Sequence, residues 1–231
     1  FVIVDVDEST LCPFCDQSMP TQPTQILVGM LEAARLKSVP ECRPGNRFGL
    51  RLIVPVAAPV CVRHEFEKNL LPMAIAQGWP TELDLVDLEQ RIKQKKPIFD
   101  ALVNNRDWEA GKGPRYDNIL WLDAVLATQS GRGGLAGNIL TFNKVQPGYY
   151  GELGTRRIDQ TFHRMLEFSE DCTLPLTVLQ FVQLVLIPEA GVQLIMDDLG
   201  AAASRDDAMQ VMWASGSYGA SMFPDDEYSD D

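Results

Sequence analysis

Cysteine is scarce, positive charge is in deficit and long apolar runs are missing, and each shortage closes a class of explanation. Five cysteines in 231 residues are odd in number and too few for a disulfide scaffold. Lysine and arginine total 20 against 32 acidic residues, for a net charge of −12. A surface of that sign repels phosphate backbones at long range and suits a basic partner, such as a Lys/Arg-rich tail. No run of roughly 18 uninterrupted apolar residues occurs, so no segment is expected to span a bilayer. The longest candidate, Val178 to Ile187, is broken by Gln180 and Gln183 and stopped by Pro188. Phe1 is not an initiator Met and no charged n-region with an apolar h-region follows, so the sequence reads as a piece of a longer protein without a readable targeting signal. No internal repeat is visible.

What is present is the balance of an ordinary globular protein, 45% hydrophobic and 23% charged. The length permits one large domain or two small ones. Phe1 to Val6 is apolar and β-branched before turning acidic. Ile26 to Leu36 has helical spacing. Pro40 to Gly49 reads as a loop, and Leu50 to Val56 as a strand whose neighbouring prolines, Pro55 and Pro59, suggest a sheet edge. A helix is expected from Arg63, kinked or restarted at Pro72. Leu85, Leu88, Ile92, Phe99 and Leu102 predict an amphipathic helix interrupted near Pro97, and Tyr116 to Ala127 predicts another. Pro147 to Gly154 reads as a turn. Three C-terminal helices are expected at about 153–168, 175–198 (broken at Pro188) and 204–214. The acidic tail 225–231 is expected to be disordered.

The cysteines are grouped. Cys12-Pro13-Phe14-Cys15 is a turn that can bite one metal with two thiolates, its backbone N–H groups donating to the sulfurs. Cys61-Val62-Arg63-His64 is a second pair, expected at a helix entrance where the macrodipole favours a thiolate. Three of five cysteines and one of only two histidines thus fall into two pairs of the same spacing. Cys12, Cys15, Cys61 and His64 make a closed tetrahedral set that suits a structural zinc ion, with no open position to activate water. Such a site fits a reducing compartment. Strand, turn and then ligands opening a helix is a treble-clef-like order. Cys42 and Cys172 read as ordinary core or surface residues.

Further motifs carry a family resemblance. Leu11-Cys12-Pro13-Phe14-Cys15-Asp16, Cys61 to Glu67, Leu71-Pro72 and Gly78-Trp79-Pro80-Thr81-Glu82 belong to it. So do Gln146-Pro147-Gly148-Tyr149-Tyr150-Gly151, Leu186-Ile187-Pro188-Glu189, Ser215-Gly216-Ser217-Tyr218-Gly219 and Phe223-Pro224. In this order, across about residues 11 to 224, they resemble the domain at the end of the fungal restriction of telomere capping protein 4 family. The resemblance implies residence in nucleus and cytoplasm and a role in a process affecting telomere capping. It implies no defined chemistry.

Other features stand on their own residues. Val2, Ile3 and Val4, followed by Asp5, Asp7 and Glu8, have the pattern of a strand that adds to a small ubiquitin-like modifier; a first strand of the domain's own sheet is the plainer reading. Tyr149 and Tyr150 could line a groove for a partner peptide or serve as packing residues. Arg91 to Lys96 is the densest basic stretch, either a nucleic-acid contact or a solvated helix face. Gly131 to Gly137 superficially fits a nucleotide fingerprint but lacks the strand before it, and reads as a loop. His163 with Cys172 has no nucleophile signature. Asp197-Asp198 and Asp206-Asp207 read as surface or capping acids.

The sequence therefore predicts an α+β chain: an N-terminal segment (1–10), then a domain (11–224) with a zinc-stabilised, treble-clef-like part at about 11–80 and a mostly helical part at about 81–224, and the tail. The expected function is a non-catalytic protein-interaction domain of nucleus and cytoplasm with a basic or chromatin-associated partner. Nucleic-acid binding through 91–96 is the alternative.

Overall fold

The computed structural model describes residues 7–105, 108–129 and 146–225. The chain divides into two compact units, Phe1–Trp79 and Pro80–Asp231. The described part is mostly helical with one small two-stranded sheet. Val2 to Val4, Gly131 to Gly137 and the tail beyond Asp225 lie outside the described residues.

In the first unit, α1 (Gln25–Leu36) is started by Thr24, whose hydroxyl accepts from the Leu27 N–H at 3.3 Å. Its buried face, Leu27, Leu31 and Ala34, meets Val60, with Phe14, Met19, Met30 and Leu52 packed around them. Two short strands, β1 (Val39–Pro40) and β2 (Leu50–Arg51), pair antiparallel. The strand expected over Leu50 to Val56 is a correction, because it stops at Arg51 and helix α2 (Val54–Glu65) begins three residues later. Pro55 is the reason: in the first helical turn its missing N–H would have no partner anyway, and its fixed φ suits the helix. Of the two prolines that suggest a sheet edge, Pro55 starts the helix and Pro59 lies inside it.

Helix α2 runs through a π turn at Phe66–Leu70 into α3 (Leu71–Ala76). Buried Glu67 sits in that turn. It accepts from the Thr24 N–H at 2.8 Å, from the Thr24 hydroxyl and from Arg63 Nε at 2.7 Å. One carboxylate thus fastens the start of α1 to the α2–α3 helix.

The second unit begins with α4 (Leu85–Gln94), capped by Asp84, and α5 (Lys96–Asn104), with Pro97 in its first turn. Helix α6 is Ile119–Gln129. After a 3₁₀ turn at Gly148–Tyr150 come α7 (Gly151–Met165) and α8 (Glu170–Thr173). Helix α9 (Val178–Phe181) continues through a second π turn, Val182–Leu186, into α10 (Ile187–Leu199). Helix α11 (Arg205–Met222) closes the unit, started by a Ser204–Asp207 capping box. Both π turns end two residues before a proline, Pro72 or Pro188. Proline removes an N–H and crowds the preceding turn, and a wider turn relieves that crowding. The break expected at Pro188 is a continuous helix for this reason.

The Val178–Leu199 helix is the core of this unit. By length and composition alone, 22 residues at mean hydropathy 1.6, it could cross a bilayer, but 67% of its apolar window is buried. A helix apolar all round belongs in a core or a membrane, and here protein surrounds it. Trp121 packs edge-on to Phe181 at 5.5 Å, and Phe99 to Phe162 at 4.8 Å. Buried Arg115 lies over the rings of Trp121 and Phe181 at 4.3 and 4.9 Å. Its guanidinium donates to the carbonyls of Leu102 at 2.7 Å, Val103 at 3.0 Å and Cys172, so it closes the ends of α5 and α8. Burial lowers its pKa to about 10, which leaves it charged at neutral pH.

Candidate metal centre

The first half of the centre is a backbone turn. The Cys12 N–H donates to the Gln17 carbonyl at 2.7 Å and the Asp16 N–H to the Cys12 carbonyl at 3.1 Å. This folds Cys12 to Cys15 so that the backbone N–H groups of Phe14 and Cys15 face the Cys12 sulfur. Asp16 completes the turn with φ 61°, a left-handed conformation that Asp tolerates better than most residues.

The second half is helical. Cys61 and His64 lie within α2, and a spacing of three puts them on one face. This corrects the expectation that Cys61 opens a helix: α2 starts at Val54, so no N-terminal dipole acts on the Cys61 sulfur. One helical face supplies both ligands instead.

The ligand atoms of Cys12, Cys15, Cys61 and His64 all lie within 4.8 Å of one another. Cys15 Sγ and His64 Nε2 are 3.2 Å apart. Tetrahedral bonds of about 2.3 Å to sulfur and 2.0–2.1 Å to nitrogen place donors roughly 3.5–3.8 Å apart. The cluster is of the right size to hold a metal ion.

The electrostatics agree. Burial pushes the Cys12 thiol up. Burial, then the neighbouring Cys12 and Cys15 sulfurs, push Cys61 up. Burial pulls His64 down, towards the neutral imidazole that binds metals. The Cys12 and Cys61 thiols resist becoming thiolates by themselves, and a cation removes the resistance because a coordinating thiol is deprotonated outright. His64 Nδ1 is buried with no hydrogen-bond partner among the described residues, although metal-bound imidazoles generally donate that proton to an acceptor.

The other candidate residues are elsewhere. Tyr149 and Tyr150 do not line an open groove: each ring is 3% exposed. Their hydroxyls donate to Asp198 Oδ2 at 2.6 and 2.5 Å, and burial raises both pKa values, keeping the protons in place. Their turn packs so closely on α11 that a Cβ on Gly151 or Gly219 would stand 2.2 Å from a backbone oxygen. The basic stretch is matched by acids: Arg91 meets Asp198 at 2.7 Å, Lys93 meets Glu89 at 2.6 Å, Lys95 meets Asp197 at 2.9 Å and Lys96 meets Asp100 at 2.6 Å. Cys42 is exposed, and the buried Cys172 thiol donates to the Ser169 carbonyl at 2.9 Å. His163 faces Asp159 at 3.5 Å and the Phe168 ring.

Sequence reasoning missed the residues that grip the first turn. Asp16, Arg43 and Asn46 form a bonded cluster beneath it. The available signals were an acid directly after the second cysteine and an Arg-Pro-Gly-Asn turn, which was read as a loop.

Residues 127–224 match the family model described as RTC4-like domain. The resemblance drawn from the sequence motifs therefore holds over that stretch, which lies in the second unit and excludes the four metal-site residues. No curated protein and no solved structure matches the chain.

Proposed function

We propose that the chain is a non-catalytic protein-interaction domain whose N-terminal unit is held in shape by one structural zinc ion. The observation that carries this reading is the closed set of Cys12, Cys15, Cys61 and His64, with donors within 4.8 Å of one another. Three sulfurs and one imidazole in a tetrahedron suit zinc above harder cations, and four protein ligands leave no position for a catalytic water. A treble-clef-like site would carry its second pair at a helix start, whereas here a backbone turn and a face inside α2 deliver the ligands. The RTC4-like match supports a role linked to telomere capping in nucleus and cytoplasm, and the net charge of −12 supports a basic, chromatin-associated partner. The N-terminal Val2-Ile3-Val4 segment is a second candidate contact, for a small ubiquitin-like modifier.

Elemental analysis of the purified chain should give one zinc per molecule, and none would remove the reading. Binding of a Lys/Arg-rich histone-tail peptide should weaken with salt. Titration with labelled DNA and RNA over a salt series should show no tight binding, since the cations of 91–96 already have carboxylate partners. A steep negative salt slope would favour nucleic acid instead.

A further inference from the structure

The metal reading leaves one group beside the site without a task. Asp16 follows the second cysteine, holds a left-handed backbone and turns its carboxylate towards Arg43 and Asn46. Arg43 forks onto it, Nε to Oδ2 at 2.9 Å and Nη2 to Oδ1 at 2.7 Å. Asn46 Nδ2, fully buried, donates to the same Oδ1 at 2.7 Å. The same two side chains then reach the ligand turn itself. Arg43 Nη2 donates to the Pro13 carbonyl at 2.7 Å, and Asn46 Nδ2 donates to the Cys12 carbonyl at 3.1 Å. The Leu50 N–H donates to Pro13 as well, at 2.7 Å. Gly49 makes room for this, because a Cβ there would meet the Glu41 carbonyl at 2.5 Å and the Arg43 guanidinium carbon at 3.0 Å.

These bonds fix the carbonyls of the first two turn residues, and with them the direction in which the Cys12 and Cys15 sulfurs point. The other half of the centre rests on the backbone of α2, and there His64 Nδ1 has no hydrogen-bond partner among the described residues. We propose that Asp16, Arg43 and Asn46 are positioning residues of the metal centre: they hold the Cys12–Cys15 bite in its binding shape, and the Cys61–His64 face closes onto that anchor. None of the three is a ligand. The inference rests on the metal reading above and adds which residues set the affinity.

The test compares zinc affinity, by competition with a chromophoric chelator, in the full chain and in Asp16→Gly, Asp16→Asn and Arg43→Lys. Asp16→Gly is the decisive variant. Glycine is at ease with a left-handed backbone, so a purely conformational role for Asp16 predicts affinity equal to or above that of the unsubstituted chain. A positioning role predicts a loss of about 10–100-fold, the usual effect of removing an outer-shell partner. Arg43→Lys keeps the charge but loses the fork, and should weaken binding in the same direction. The cobalt(II)-substituted variants should keep the unsubstituted chain's thiolate charge-transfer intensity per bound ion, because all three sulfurs remain. Unchanged affinity in Asp16→Gly and Arg43→Lys overturns the inference, and altered d–d bands at full thiolate charge-transfer intensity in Asp16→Gly would make Asp16 a ligand instead. If Arg43→Lys fails to fold by circular dichroism, Asn46→Ser tests the link to the Cys12 carbonyl with a smaller change. An unsubstituted chain that takes up no metal defeats the underlying reading as well, and is thereby distinguished from a failure of the positioning shell alone.

Discussion

The two units are held together by different means. The first has a small apolar cluster around Leu27, Leu31, Ala34 and Val60, and supplements it with polar ties: the candidate metal cluster, the Asp16–Arg43–Asn46 grip and the Glu67 carboxylate. The second is organised on a buried apolar helix and carries most of its ion pairs at the surface, Glu189 and Arg115 being the charges it buries. A short segment buries too little apolar surface to offset the entropy of ordering it, so fixed points must supply the rest. A longer helical unit meets that cost by burial.

The largest expected effect would sharpen this contrast. Structural zinc contributes roughly 10–16 kcal/mol of apparent binding energy in small zinc peptides. Chelation should therefore open the first unit while leaving the helices of the second in place. Hydrogen exchange should show protection lost around α1 and α2 but kept in α10 and α11, and equal loss in both units would break the comparison.

Glu189→Ala comes next. The carboxylate is buried, accepts from both Arg205 terminal nitrogens at 2.6 Å, and also holds Asn118 at 2.8 Å and Gln193 at 2.9 Å. Breaking a buried pair by removing one partner costs about 3–5 kcal/mol. Denaturant unfolding of the second unit should register the loss with zinc uptake unchanged. Leu194→Ala, in the core of α10 with no exposed surface, should cost about 2–5 kcal/mol by the same measurement.

The smallest effect is in acid. Burial pushes the Glu189 carboxyl up, but Arg205, Gln193 and Asn118 outweigh it, and its pKa ends below the usual value. The unfolded chain therefore takes up the proton first. The stabilisation is complete above the unfolded carboxyl pKa of about 4.3 and is lost as pH falls through the lower folded value. Glu189→Gln should flatten the acid limb of the second unit's stability profile.

What could be read from the sequence divides along local lines. The four metal-site residues were visible because two pairs of identical spacing left a signature, and α1, α4, α5, α7 and α10 followed from periodicity to within a few residues, whereas α8 was not foreseen and α11 runs on to Met222, past the expected end at 214. The start of α2 was misjudged because a proline near a strand and a proline in a helix's first turn look alike without knowing which way the chain turns. The Asp16 grip was hidden because Arg43 and Asn46 lie 27 and 30 residues away. For Tyr149 and Tyr150 the sequence leaves groove and packing both open, because an aromatic pair in a glycine turn does not announce the close backbone approach that buries it.

The π turns before Pro72 and Pro188 have an effect on pattern as well as on strain. Each takes up one residue beyond an α-helical repeat, so the stretches on either side are out of phase by about 100°. A stripe of side chains that begins on one flank of the rod continues on another. The 178–199 rod thereby meets neighbours on two sides in succession, and its sequence, averaged along its length, looks greasy all the way round. In the 54–76 rod Cys61 and His64 come before the offset, and Glu67, at its start, still pairs with Arg63 four residues back at 2.7 Å while reaching Thr24.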